Sequence, residues 1–133
     1  LANRWATALD WFGEGNRESN DAIALAKLGT CLDVLACGGK YGGICDMVIN
    51  LTGKSKDTTV VTGSRPRTLG QLVKDIYDLG RSQILHGTRY NRLESFSVER
   101  NHAAFLARIA LIESAIRLQK YHGPDEDKAF RTI

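Results

Sequence analysis

Between Asp21 and Cys37, apolar side chains recur at helical spacing on two faces at once. At about 100° per residue, Leu25, Leu28, Cys31, Leu32 and Leu35 form a stripe of large side chains. Ala22, Ala26, Gly29, Asp33 and Ala36 form a second stripe of mostly small ones. Apart from Asp33 and the first-turn Asp21, Lys27 is the only charge in the segment. A helix apolar on most sides has to be surrounded, so a central helix is expected here. Asn20 or Ser19 can cap it, and Gly38-Gly39 stop it. The small stripe allows another helix to come close. Asp33 lies on or beside that stripe. Two readings fit it: a partly exposed carboxylate on a helix flank, or one held near a polar site or a basic partner.

Helical spacing continues on both sides. Trp5, Ala8, Leu9 and Phe12 predict a short first helix, ended by Gly13-Glu14-Gly15-Asn16. Ile44, Met47, Val48 and Leu51 predict a third, from Tyr41 or Gly43 to Leu51, with Gly53 at its end. Thr68-Leu69-Gly70-Gln71 matches a capping box and opens a fourth helix, with Leu69, Leu72, Val73, Ile76, Leu79, Gly80 and Ile84 on its apolar face. It is expected to end near His86, with Gly87 terminating it. After a polar connection, Ser97 can cap a long fifth helix reaching about Tyr121. Its expected core face is Phe105, Leu106, Ile109, Ile112, Ile116 and Leu118. Gly123-Pro124 stop it, leaving 125–133 as an expected loose tail. The only run with strand-like alternation is Thr58–Thr62. The expectation is an all-α bundle of four to five helices in one domain, 1–124, with one long irregular loop.

That loop, 54–67, carries Lys54, Lys56, Arg65 and Arg67. A solvated loop and a phosphate-contacting loop both fit this charge. The chain as a whole is only mildly basic, at +3. This permits an anionic partner without demanding one. Hydrophobic residues at 43% and charged residues at 25% exclude disorder. No run of about 18 apolar residues is present, which excludes a membrane-spanning helix, and no membrane partner is expected. Cys31, Cys37 and Cys45, an odd number, suggest reduced thiols and a cytoplasmic setting. Their spacing, with His86, His102 and His122 far apart, offers no metal-ligand pattern, so neither metal nor cofactor is expected. The start, Leu1-Ala2-Asn3-Arg4-Trp5, is neither an initiator Met nor a signal peptide. It reads as a segment of a longer protein or a chain whose leader is gone.

The chemistry-bearing string is Asp78-Leu79-Gly80-Arg81-Ser82-Gln83-Ile84-Leu85-His86-Gly87. Arg81 and His86 stand five apart. On an ideal α-helix this separates them by about 140° around the axis and about 7.5 Å along it. Both can reach one phosphate only if the last turn loosens or a second copy contributes. A helix C-terminus favours protonated histidine, and a His titrating near neutrality suits acid–base work. Arginine offers a permanent charge and a donor fork matched to phosphate. By spacing alone the pair reads equally as a C-terminal cap and a solvated arginine.

The whole string from Ile76 to Gly87 resembles the signature helix of HEPN domains, particularly the Apea-like branch. Leu28-Gly29-Thr30-Cys31-Leu32-Asp33-Val34-Leu35 is similar to an earlier helix of that family, where an acidic residue, often Glu, sits between apolar ones. The resemblance extends over roughly residues 4–120 and includes the helix order. It implies a homodimer that brings two signature helices together and cuts RNA without metal. The attacking group is then the ribose 2′-hydroxyl. His86 would move the proton, and Arg81 would stabilise charge on the phosphoryl oxygens. Ser82 takes the polar position after the arginine, where the family commonly has Asn, Asp or His. Asp33 would orient Arg81 or His86. Arg89 and Arg92, with Arg65, Arg67, Lys54 and Lys56, are candidate RNA contacts. Tyr77 fits either a base contact or the core. The implied role is the ribonuclease effector of a larger defence or toxin-like protein, working with the rest of that protein or a regulatory partner. The alternative is a non-catalytic HEPN module for dimerisation or for binding RNA or nucleotide.

Overall fold

Helix α2, Asp21–Ala36, lies at the centre of an all-α bundle, with ten of its residues buried. The computed structural model describes residues 1–84 and 95–133, with backbone alone for 81–84. Asn20 caps α2 by accepting from the Ile23 amide at 3.1 Å, as its position suggested. At the other end the chain turns through four left-handed residues, Cys37 to Lys40. The Cys37 and Gly38 amides return to the Asp33 and Val34 carbonyls. Helix α3, Lys40–Thr52, then departs at 71° to α2.

Helix α1, Ala2–Arg17, lies along α2 and continues straight through the glycines expected to end it. Gly15 is buried there because a β-carbon would stand 2.8 Å from the Leu28 side chain. The small stripe of α2 is consumed inside the chain: Ala22, Ala26, Gly29 and Ala36 are all buried. It therefore offers no surface to a second copy.

The stretch expected to be an irregular loop contains a small antiparallel hairpin, β1 Thr59–Val61 and β2 Arg67–Thr68. Val60 and Val61 pack against the core and anchor it. Thr68 ends the hairpin and caps α4, Leu69–Ile76, with both halves of the capping box formed. After Ile76 the backbone continues as a π-helical segment, Tyr77–Ile84. Tyr77 packs on the core and lies 6.5 Å, ring to ring, from Tyr41.

Helix α5, Ser97–Lys120, reverses one expectation. Its buried face is Ala103, Leu106, Ala107, Ala110, Leu111 and Ser114. Phe105, Ile112 and Ile116, expected in the core, are exposed. The reason is distance: an alanine face lets α5 come close to α2, which bulkier side chains would prevent. Leu9, Phe12, Ile112 and Ile116 line a shallow apolar groove between α1 and α5. Phe96, not Ser97, occupies the N-cap position and is itself buried.

Residues 125–133 are docked, contrary to the expected loose tail. A 3₁₀ turn, Ala129–Arg131, carries Phe130 into the core with no exposed surface. Arg131 donates to the carbonyls of Ala36, Cys37 and Gly38. Arg117 and Asn50 donate to the Ile133 carbonyl. Free helix-end carbonyls at the α2–α3 corner thus receive their donors from the tail. Among the described residues, no single helix is long and apolar enough to cross a membrane.

Candidate functional site

The motif helix is set against α2 by a single missing side chain. A β-carbon on Gly80 would come within 3.0 Å of the Leu25 carbonyl oxygen. Glycine at this position lets the π segment lie on the α2 backbone, and Arg81 and Ser82 follow at once along that segment. His86, Arg89 and Arg92 lie outside the described residues. Asp33 is half-buried on α2 and has an interaction partner.

The π geometry of Tyr77–Ile84 differs in phase from the α-helix before it. An α-helix bonds residues four apart, whereas a π-helix bonds residues five apart. Within such a segment a residue and its fifth successor share one face. Stretches of this kind are rare and occur disproportionately at functional sites.

The basic residues of the 54–67 stretch divide into two groups. Lys54 and Lys56 are exposed away from the cleft described next; the Lys56 carbonyl accepts from the Gly70 amide. Arg65 and Arg67 instead line a cleft of about 770 Å³ between the hairpin, the π segment and the start of α5. Asp78 and Leu79 line it from the π segment, and Glu99 and His102 from α5. The cleft thus borders the motif helix itself.

Arg67 is not a free phosphate contact. One arm of its guanidinium donates to Asp75 at 3.1 Å, and the other meets His102 Nδ1 at 3.0 Å. Because arginine only donates, Nδ1 must accept, so the ring proton sits on Nε2. Burial, and then the Arg67 charge, push the His102 pKa below the usual histidine value, with Glu99 opposing them. His102 is accordingly a neutral ring with a fixed tautomer. The sequence reading did not single it out. The available signal was the stripe Ser95, Val98, Glu99, His102, whose members lie three or four residues apart across one helix face, at 95/98, 95/99, 98/102 and 99/102. Its partner Arg67 lies 35 residues away, beyond any local pattern.

Burial works against thiolate formation at Cys31 and Cys45. All three cysteines are free, and burial pushes the Cys31 pKa up to about 12. Among the described residues, no cluster of His, Cys, Asp or Glu is arranged to hold a metal ion. In comparisons with known proteins, no family model, no curated protein and no solved structure matches the chain.

Proposed function

We propose that the chain is a HEPN-type endoribonuclease domain that cleaves RNA without metal, as the effector part of a larger defence or toxin-like protein. The observation carrying this reading is the change from α to π geometry where the motif residues Arg81 and Ser82 sit. The motif spacing is five, the interval of π hydrogen bonds, and in this reading that geometry carries on from Ile84, the last described residue of the segment, to His86. A bordering cleft beside the same helix provides room for a polymer.

In this reading the ribose 2′-oxygen attacks the adjacent phosphorus, forming a P–O2′ bond as the P–O5′ bond breaks. His86 takes the 2′-hydroxyl proton, and the 5′-oxygen leaves as a hydroxyl after receiving a proton. Arg81 stabilises the negative charge that builds on the phosphoryl oxygens. The products carry 2′,3′-cyclic phosphate and 5′-hydroxyl ends. DNA lacks the nucleophile and is not cut. Pairing of two copies belongs to this reading through the resemblance, and it uses a surface other than the buried small stripe of α2.

The test is cleavage of mixed RNAs by the wild-type chain and by His86→Ala, with analysis of the ends. Undiminished cleavage by a folded His86→Ala protein would overturn the catalytic assignment and leave a binding module.

A further inference from the structure

The cleft beside the motif helix has the make-up of a small-molecule site. Its volume of about 770 Å³ lies within the range usual for ligand pockets. Its walls include aliphatic side chains: Val61 from β1, Leu79 from the π segment and Val98 from α5. Val98 is 56% exposed, although it is large and apolar. The polar groups come from all sides. Glu99 and His102 stand three residues apart on α5, so their side chains are neighbours on one face.

His102 is a committed donor. Its Nδ1 is occupied by Arg67, and Arg67 is itself held by Asp75. Among the described residues no group takes its Nε2–H. Glu99 beside it is an acceptor with two oxygens. The pair therefore presents one donor and one carboxylate to a flat partner lying between aliphatic walls. Guanine has the complementary edge, with the O6 acceptor next to the N1–H and N2–H₂ donors. Adenine, cytosine and uracil do not place an acceptor beside two adjacent donors. Arg65 lines the same cleft and has no carboxylate partner among the described residues, which leaves it for a phosphate. Asp78 faces the same space, where a sugar hydroxyl is the part of a nucleotide that can donate to it.

We propose that this cleft binds a guanosine nucleotide, with Glu99 accepting from N1–H and N2–H₂, His102 Nε2–H donating to O6, and Arg65 holding the phosphate. The assignment rests on the ribonuclease reading only in making that nucleotide one unit of the substrate RNA. Arg67 is a positioning residue, since it acts through His102.

The test is equilibrium binding of GMP, AMP, CMP and UMP, one at a time, to the 133-residue chain by calorimetry. GMP is expected to bind at least about tenfold more tightly than the other three, as suits a two-pronged base contact. His102→Ala and Glu99→Gln should each weaken GMP about tenfold or more and level the four affinities. His102→Gln should restore part of the preference, because its amide can accept from Arg67 and still donate into the cleft. Circular dichroism verifies that each variant is folded. Equal binding of all four nucleotides, no binding, or GMP binding untouched by Glu99→Gln and His102→Ala would each overturn the proposal. Failure to bind GMP alongside RNA cleavage that depends on His86 would overturn the cleft assignment alone. GMP binding with no RNA cleavage would keep the cleft and overturn the ribonuclease reading.

Discussion

Arg67 on β2 and His102 on α5 are joined by a 3.0 Å contact across 35 residues of sequence. It ties the hairpin to the last long helix and decides which ring nitrogen of His102 carries the proton. Arg67→Ala removes both this contact and the 3.1 Å contact to Asp75. Asp75 is exposed and adds little, so the expected loss is about 1 kcal/mol, from the partly buried bond to His102. Faster hydrogen exchange in Thr59–Val61, with α1 to α3 unchanged, is the expected readout; uniform exchange throughout would contradict the tie.

The same pair sets a pH response. His102 has a folded pKa below its ordinary value of 6.5, because burial and Arg67 disfavour the cation more than Glu99 favours it. The unfolded chain thus binds the proton more readily. The stability from neutral His102 is complete above about 6.5 and is lost as the pH falls through the depressed folded value. Denaturant titrations should show stability rising with pH from the depressed folded value up to about 6.5, with the slope reduced in His102→Gln. An unchanged slope would remove His102 as its source.

Cleavage chemistry gives the third expectation. His86→Ala should lower the rate by about 100- to 10,000-fold, the usual contribution of an acid–base group. Arg81→Ala should fail comparably. Arg81→Lys should recover only part, since a point charge lacks the guanidinium fork. Activity should persist in chelator, and replacing the 2′-hydroxyl with hydrogen at the cut site should abolish it. Metal-dependent cleavage, or 3′-hydroxyl ends, would refute this chemistry.

Gly80→Ala should act through geometry. The added methyl would meet the Leu25 carbonyl oxygen at 3.0 Å, a backbone atom that cannot swing aside. A stability loss of about 1–3 kcal/mol is expected, together with displacement of the motif segment from α2. Chemical shifts of α2 residues next to Leu25 should move; wild-type shifts with wild-type stability would show that the close approach is unnecessary.

Phe130→Ala tests the docked tail. The ring is fully buried, so truncation should cost about 3–5 kcal/mol, a large share of the stability of a domain this size. A melting temperature within a degree of wild type would mean that the tail contributes nothing.

Local signals located three helix ends that depend only on neighbours in sequence. The Asn20 cap, the Thr68–Gln71 capping box and the Gly53 stop need only residues within one turn, and all three form. The glycines at 13 and 15 misled, because a glycine that ends a helix and one that admits a neighbouring helix look alike in one dimension. Gly15 is of the second kind, pressed against Leu28. Helix α5 misled for a related reason. Periodicity marks apolar positions, but only the α2–α5 separation decides whether alanines or larger side chains turn inward.

The candidate site divides in the same way. The sequence by itself determined the all-α class, the central role of α2 and the Arg-x₄-His string, because each is written in periodicity or spacing. Tertiary structure alone decided that the motif helix opens into π geometry beside α2. It also decided that Arg67 is spent on His102 and Asp75, that His102 is a neutral donor, and that 125–133 closes the α2–α3 corner. Apart from the Arg67–Asp75 contact, these depend on groups dozens of residues apart meeting within about 3 Å, and no local pattern encodes such a distance.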